Sequence, residues 1–342
     1  MKKIFLLINL LYLIQIPASL YGSEKTVNIY SARKEELILP LLKIFKKKTG
    51  INYKLITGKA DGLLKRLEIE GKLSPADVFI TVDAGRLQRA KTANILQPIA
   101  SKFLSERVPS NLRDVDNYWF GLSQRSRTII YNKNAVDVST LESYENLADP
   151  KWKGKLCIRS SSSIYNQSLV ASMIVANGIA KTETWAKGLV KNFARPPAGG
   201  DTDLLKATAA GQCDIALANT YYLGRMKNSK SKEDRKASEN LLVFWPNQSE
   251  GDRGAHVNVS GAGVTKYSKN IENAITLLEF LVTNESQKWY AEVNNEYPVV
   301  MGANISNTLK EFGKFKSDTL NLSMLGEMNG EAVKLMDRAG WR

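Results

Sequence analysis

Histidine is almost absent from this chain of 342 residues, with His256 alone, and cysteine is limited to Cys157 and Cys213. One imidazole and two thiols exclude a zinc finger, a His-built metal site and a His-based catalytic triad. The chain also lacks a G-x-S-x-G elbow, an H-E-x-x-H helix and a phosphate-binding P-loop, so the common hydrolase and nucleotide chemistries have no sequence signature here. No apolar run is long enough for a membrane helix. Acidic residues are in deficit, 34 against 48 Lys and Arg, for a net charge of +14. With 43% hydrophobic and 24% charged residues, the composition is that of a globular protein with a real core, and neither fibrous nor disordered.

Met1-Lys2-Lys3, the apolar run from Ile4 to Ile16 and the small-residue end Pro17 to Ser23 have the three parts of a cleaved secretory signal. Residues 1–23 are therefore expected to be a signal peptide, and the mature protein to be exported to the periplasm. Removing them takes away two lysines and no acidic residue. In an oxidising compartment Cys157 and Cys213, both in strand-like runs, are expected to pair. The positive charge does not point to nucleic acid, because the lysines are spread through every helical stretch and no nucleic-acid module appears. A soluble, basic-biased surface accounts for it.

Short apolar strands alternate with amphipathic helices along the mature chain. Val27–Tyr30 reads as a strand. Leu37, Ile38, Leu41, Leu42 and Phe45 repeat at helical spacing before the stop at Gly50. Ile51–Leu55 and Asp77–Thr81 read as further strands around a helix from Asp61 to Glu70. The alternation recurs with a strand at Lys155–Arg159, helices over Asn166–Ala176 and Asp203–Ala210, and a strand at Cys213–Asn219. This βαβ grammar implies parallel sheets covered by helices in two α/β lobes. Trp119–Asn132 is a candidate strand crossing between lobes, Leu242–Trp245 a second, and Asn258–Val264 a strand with close backbone approaches at its glycines. The expected division is 24–123 plus 251–300 for one lobe and 124–250 plus 301–342 for the other. The binding cleft belongs between them, at the carboxyl ends of strands.

Three tyrosines occupy polar, turn-prone segments at those ends: Tyr165 in Ser160–Gln167, and Tyr221-Tyr222 in Ala218–Arg225. A hard, highly charged cation favours the phenolate over the phenol, and three phenolates neutralise a trivalent ion. Adjacent strand residues point to opposite faces, so Tyr221 and Tyr222 can share one ion only if the backbone leaves strand geometry. Arg33, Arg125, Arg127 and Arg225 surround the same place, and a guanidinium fork suits a carboxylate or carbonate. On residue type alone, a tyrosine pair is more often packing or a sugar-stacking platform, and a lone arginine more often a surface ion pair. Asp61 and Asp83 read as cleft-lining groups or as helix and turn caps.

Taken together, Tyr30–Glu35, Thr57–Asp61, Ser74–Val78, Asp83–Arg86, Ser123–Arg127, Ser160–Gln167, Ala218–Arg225 and Gly254–Gly263 resemble the periplasmic ferric-iron-binding proteins of bacterial iron ABC transporters. The similarity spans nearly all of the mature chain. It implies a two-lobed periplasmic binding protein fold of type II with two crossing strands as hinge. It also implies Tyr165, Tyr221 and Tyr222 as ligands of transported Fe3+ and Arg125 as an anion or second-shell partner, a role for which Arg33 and Arg225 are candidates from their residue type and place alone. Where many members carry histidine in the first loop, this chain has Lys34-Glu35. Two arrangements follow: Glu35 supplies a carboxylate ligand, or the three tyrosines suffice with carbonate or a similar synergistic anion held by Arg33 and Arg125. His256 is read as structural. The implied role is a monomeric carrier that hands iron to a membrane permease. The alternatives are a metal-free carrier of anions or small organic solutes, and, more remotely, an exported hydrolase or lyase using Glu35 or Asp61 as base.

Overall fold

The computed structural model describes residues 25–342; the signal-peptide expectation lies outside them. The chain opens with β1 (Thr26–Ser31), α1 (Glu35–Thr49), β2 (Asn52–Thr57), α2 (Ala60–Glu70), β3 (Val78–Val82) and α3 (Ala84–Thr92). It continues through β4 (Leu96–Gln97), α4 (Lys102–Arg107) and the long strand β5 (Phe120–Asn132). Then come β6 (Leu156–Cys157), α5 (Ile164–Asn177), α6 (Ile179–Lys191), α7 (Asp201–Ala209), β7 (Ile215–Asn219), α8 (Thr220–Lys227), α9 (Lys232–Ser238) and β8 (Leu241–Phe244). The last part is β9 (Val257–Thr265), α10 (Ile271–Leu281), α11 (Asn284–Glu292), β10 (Tyr297–Pro298), α12 (Asn307–Glu311), α13 (Ser323–Glu327) and α14 (Asn329–Arg338).

The apolar face of α1 forms as the spacing predicts, burying Ile38, Leu41, Leu42 and Phe45, and left-handed Gly50 (φ 73°) closes the helix by bonding back to Lys46 O. β1 pairs in parallel with β2 and β3, and β6 in parallel with β7. The sheets are nevertheless mixed, because β9 runs antiparallel to β3 and β5, and β5 antiparallel to β7 and β8. Purely parallel pairing fails because the linking strands must traverse the molecule and return.

β5 is the principal crossing. Its residues up to Ser126 pair with β9, whereas Arg127 to Tyr131 pair with β7 and Ile129 to Asn132 with β8. One extended segment thus belongs to both halves, and every residue in it except Gln124 is buried. The predicted second crossing at Leu242–Trp245 is displaced: β8 stays paired with the far end of β5, and residues 245–256 make the return into β9. The glycines of β9 are close approaches, as expected. A Cβ at Gly263 would stand 2.5 Å from the carbonyl oxygen of Tyr118, so only hydrogen fits.

The main apolar core includes Ile29, Phe79, Trp119, Phe120, Leu169, Leu217 and Trp341, all buried. A second cluster surrounds the Cys157–Cys213 disulfide, whose Cα atoms are 5.8 Å apart, together with Leu204, Leu205, Ala216 and Leu241. The bridge closes a sequence separation of 56 residues and restrains the unfolded chain by about 4 kcal/mol on the chain-entropy model. Replacing both cysteines by alanine is expected to lower unfolding stability by about 2–4 kcal/mol, read from the urea midpoint under non-reducing conditions; an unchanged midpoint would contradict it.

Candidate functional site

Tyr221 and Tyr222 are the second and third residues of α8, not of a strand or turn as their context suggested. A strand would have sent them to opposite faces. In the helix their ring centroids lie 4.3 Å apart with planes 31° apart. Tyr165 is likewise in the first turn of α5, and its hydroxyl oxygen is 3.2 Å from that of Tyr221. Two helix amino ends, where negative charge is favoured, therefore converge on three phenols.

Their placement traces to Arg127, buried at the point where β5 changes partners. Its Nε donates to Asn166 Oδ1 at 3.0 Å and its Nη2 to Leu217 O at 2.8 Å. Its Nη1 pairs with fully buried Asp201 at 3.1 Å. Asp201 Oδ2 in turn accepts from the backbone N–H of Asn219 at 3.2 Å. Asn166 adjoins Tyr165, and Asn219 stands two residues before Tyr221, so this network fixes both helix starts at once. Arg127 is thus internal, spent on positioning, and not a group that faces a ligand.

Tyr165, Tyr221 and Tyr222 line a cleft of about 170 Å³ together with Arg33, Lys34, Arg125, Arg225 and Glu296. Arg125 is only 2% exposed, yet its Nε and Nη2 have no hydrogen-bond partner. Burial opposes its charge, but Glu296, Tyr165 and Tyr221 raise its affinity for the proton. Such a group is ready for an anion. Ser163 Oγ, Asn219 Nδ2 and Thr220 Oγ1, at the starts of α5 and α8, are also buried without partners. Arg225 lies over the Tyr221 ring at 4.8 Å, and Arg159 over Tyr165 at 5.4 Å.

Burial, reinforced by Tyr165 and Tyr222, pushes the Tyr221 phenol well above its usual range. The same burial, with Tyr165 and Asp201 nearby, pushes Tyr222 up to about 12. Both are therefore neutral phenols at neutral pH until something displaces their protons. Among the described residues no group of three or more His, Cys, Asp or Glu could hold a metal ion. The side-chain oxygen donors that line the cleft are the three phenols and the Glu296 carboxylate.

Glu35 is not brought to the cleft. It is exposed at the first turn of α1, and Arg33 is turned inward, its Nη2 donating to Glu296 Oε2 at 2.9 Å. Asp61 is likewise outside, paired with Arg86 and Arg89 on the surface. Asp83 caps α3 with a positive φ of 82° and accepts from Ser168 Oγ at 2.7 Å and Asn258 Nδ2 at 2.9 Å. His256 is buried, and burial with Arg253 and Arg127 nearby holds its imidazole neutral. Sequence reasoning missed Glu296, Arg159 and Asp201; only proximity in the fold exposes them.

Comparison with known proteins places this geometry in context. A family model described as bacterial extracellular solute-binding protein matches residues 74–317. Iron uptake protein A1 of Synechocystis sp. is 49% identical over 321 residues, covering 94% of this chain and 89% of its own. The major ferric iron-binding protein of Neisseria meningitidis serogroup B is 29% identical over 92% of this chain and 93% of its own. Among solved structures, a Trichodesmium protein in complex with iron and citrate ligands superposes with a TM-score of 0.90 at 54% identity, covering 93% of this chain and all of that one. The ferric binding protein from Campylobacter jejuni superposes at 0.87 with 42% identity, over 92% of this chain and all of its own.

Removing one partner of a fully buried ion pair strands the other charge. Asp201→Ala is expected to cost about 3–5 kcal/mol of unfolding stability, against less than about 1 kcal/mol for Asp61→Ala in the exposed cluster, both measured by denaturant titration. Equal losses would deny Asp201 its structural role.

Proposed function

The chain belongs to the bacterial extracellular solute-binding proteins, a family of carriers and not of enzymes, and on that premise we propose that it captures ferric iron through Tyr165, Tyr221 and Tyr222. The observation that carries this reading is the convergence of three phenols beside a buried arginine with two unpartnered N–H groups. Phenolate oxygens are hard donors suited to a hard trivalent cation. Three phenolates and Fe3+ sum to zero charge, which leaves the Arg125 guanidinium uncompensated. A carbonate-type anion, bound to iron and to Arg125 and balancing that charge as bicarbonate, answers the guanidinium and supplies further oxygen donors.

The exposed position of Glu35 and the engagement of Arg33 with Glu296 favour this three-tyrosine arrangement over a Glu35 ligand. The names of the relatives speak for the same cargo: iron uptake in Synechocystis, ferric iron in Neisseria, iron with citrate in Trichodesmium. On this reading residues 1–23 are cleaved on export. The lobes 24–123 with 251–300 and 124–250 with 301–342 close on the ion, and the loaded monomer delivers it to an ABC-transporter permease in the membrane. No helix among the described residues is long and apolar enough to cross a membrane itself.

Phenolate-to-iron charge transfer absorbs in the visible, so a titration of the mature protein with a soluble ferric chelate tests the site directly. A saturating band at one iron per protein is expected, and Tyr165→Phe should weaken capture by more than about 100-fold, beyond the usual cost of losing an outer-shell partner. Unchanged capture would remove Tyr165 from the ligand set. No band on folded protein, with stabilisation by anions alone, would transfer the assignment to a metal-free anion carrier.

The raised phenol pKa values set the sign of the pH dependence. Because the free phenols hold their protons, loading must release them, and affinity falls as pH falls. Corrected for the protons that the freed chelator takes up, about three protons per iron are expected in a weakly buffered titration, and about two for Tyr165→Phe. Release of no protons would mean that the phenols do not coordinate.

A further inference from the structure

We propose that Glu296 is the resident counter-charge of the cleft, pinning Arg33 so that Arg125 alone answers the co-ligand, and thereby fixing the anion charge that the loaded site accepts. The inference rests on the ferric reading above and concerns a residue outside its ligand set.

Glu296 is 3% exposed and lines the same cleft as the three tyrosines. Its Oε2 accepts from Arg33 Nη2 at 2.9 Å and from Ser123 Oγ. Arg33 is held on its other side over the Tyr290 ring, 5.3 Å from the centroid. β10 pairs Tyr297 with Gln124 and Pro298 with Ser123, and continuing that register by one residue sets Glu296 beside Arg125. The carboxylate therefore lies by two buried guanidiniums and bonds to one of them, Arg33, whose Nη1 also reaches Ser123 Oγ at 3.4 Å while its Nε has no partner.

Its position is fixed from the tyrosine side too. The neighbouring Asn295 accepts from Asn228 Nδ2 at 3.0 Å, just beyond α8. It also packs on Gly224, where a Cβ would lie 2.7 Å from that of Asn295. The segment 294–296 thus bridges the helix that carries Tyr221 and Tyr222 to the strand that carries Arg125. The backbone that carries the carboxylate is thus held from both sides of the cleft.

Charge counting then gives opposite consequences for two substitutions. Arg33 and Glu296 cancel. Losing Glu296 alone frees a second guanidinium, which strengthens anion binding and weakens anion-free capture of a cation. Losing Arg33 alone turns the Glu296 charge onto Arg125, with both effects reversed. A residue that merely held the fold would impair both properties together.

The experiment is the ferric titration with bicarbonate varied, on wild type, Glu296→Gln, Arg33→Gln and the double variant. Glu296→Gln is expected to lower the half-saturating bicarbonate about ten-fold and to weaken iron capture without bicarbonate. Arg33→Gln should do the reverse, and the double variant should return towards wild type. The proposal is overturned if both single variants move bicarbonate dependence in the same direction, if neither moves it, or if the double variant stays as weak as Arg33→Gln, which would make Arg33 a direct anion partner. If Glu296→Gln does not fold, Arg33→Gln decides: a raised bicarbonate requirement with tighter bicarbonate-free capture supports the proposal, and loss of both overturns it. No iron band in wild type would instead refute the ferric reading, whatever the variants do.

Discussion

The Arg127–Asp201 pair is the constraint on which the cleft depends. A guanidinium buried at the partner change of β5 must satisfy its donors internally, and it does so on Asn166, Asp201 and the Leu217 carbonyl. Those acceptors belong to three separate elements, α5, α7 and β7. Because Asp201 also receives the Asn219 N–H, one ion pair sets the starts of both tyrosine-bearing helices. The geometry of the phenols is thus an outcome of satisfying a buried charge.

Arg125, two residues earlier on the same strand, is treated in the opposite way. Its burial is as complete, but two of its donors are left without partners. An unsatisfied buried cation is costly, and the nearby Glu296 carboxylate offsets part of that cost. Alternate residues of one strand therefore divide the work between them. Arg127 stiffens the frame and Arg125 keeps its hydrogen-bonding capacity for something that arrives.

Much of this was legible in the sequence, and the rest was not, for identifiable reasons. Periodicity exposed α1 and the βαβ start, since an amphipathic face is a local property. The disulfide pairing followed from having only two cysteines in an exported chain. Tyr165 and Tyr221-Tyr222 could be singled out from their polar, strand-end contexts. What local pattern could not supply was the short helix α8, whose eight residues from Thr220 to Lys227 give too little periodicity to read. Nor could it pair Arg33 with Glu296, 263 residues apart. Glu35 attracted notice because it sits in a telling motif. Yet the fold points it to solvent and brings a different, unremarked carboxylate to the cleft.

For a protein with a net charge of +14 the proposed trivalent cargo is unexpected, and the resolution lies in which groups carry negative charge, and when. A cluster of carboxylates would be anionic at all times and would attract any divalent ion in reach. Phenols are neutral until their protons are displaced, and burial raises that threshold, with Tyr222 pushed up to about 12 and Tyr221 held well above its usual range. A cation must therefore be a strong enough Lewis acid to take three protons' places in a partly dehydrated cleft already bordered by arginines. Weakly acidic divalent ions gain too little from phenolate bonds to offset both the deprotonation and the repulsion, whereas Fe3+ gains enough, the more so once an anion quiets Arg125. On the ferric reading, then, the arginines and the raised phenol pKa values act together as the selectivity filter. On the same reading the positive charge that opposes the cargo also excludes its competitors.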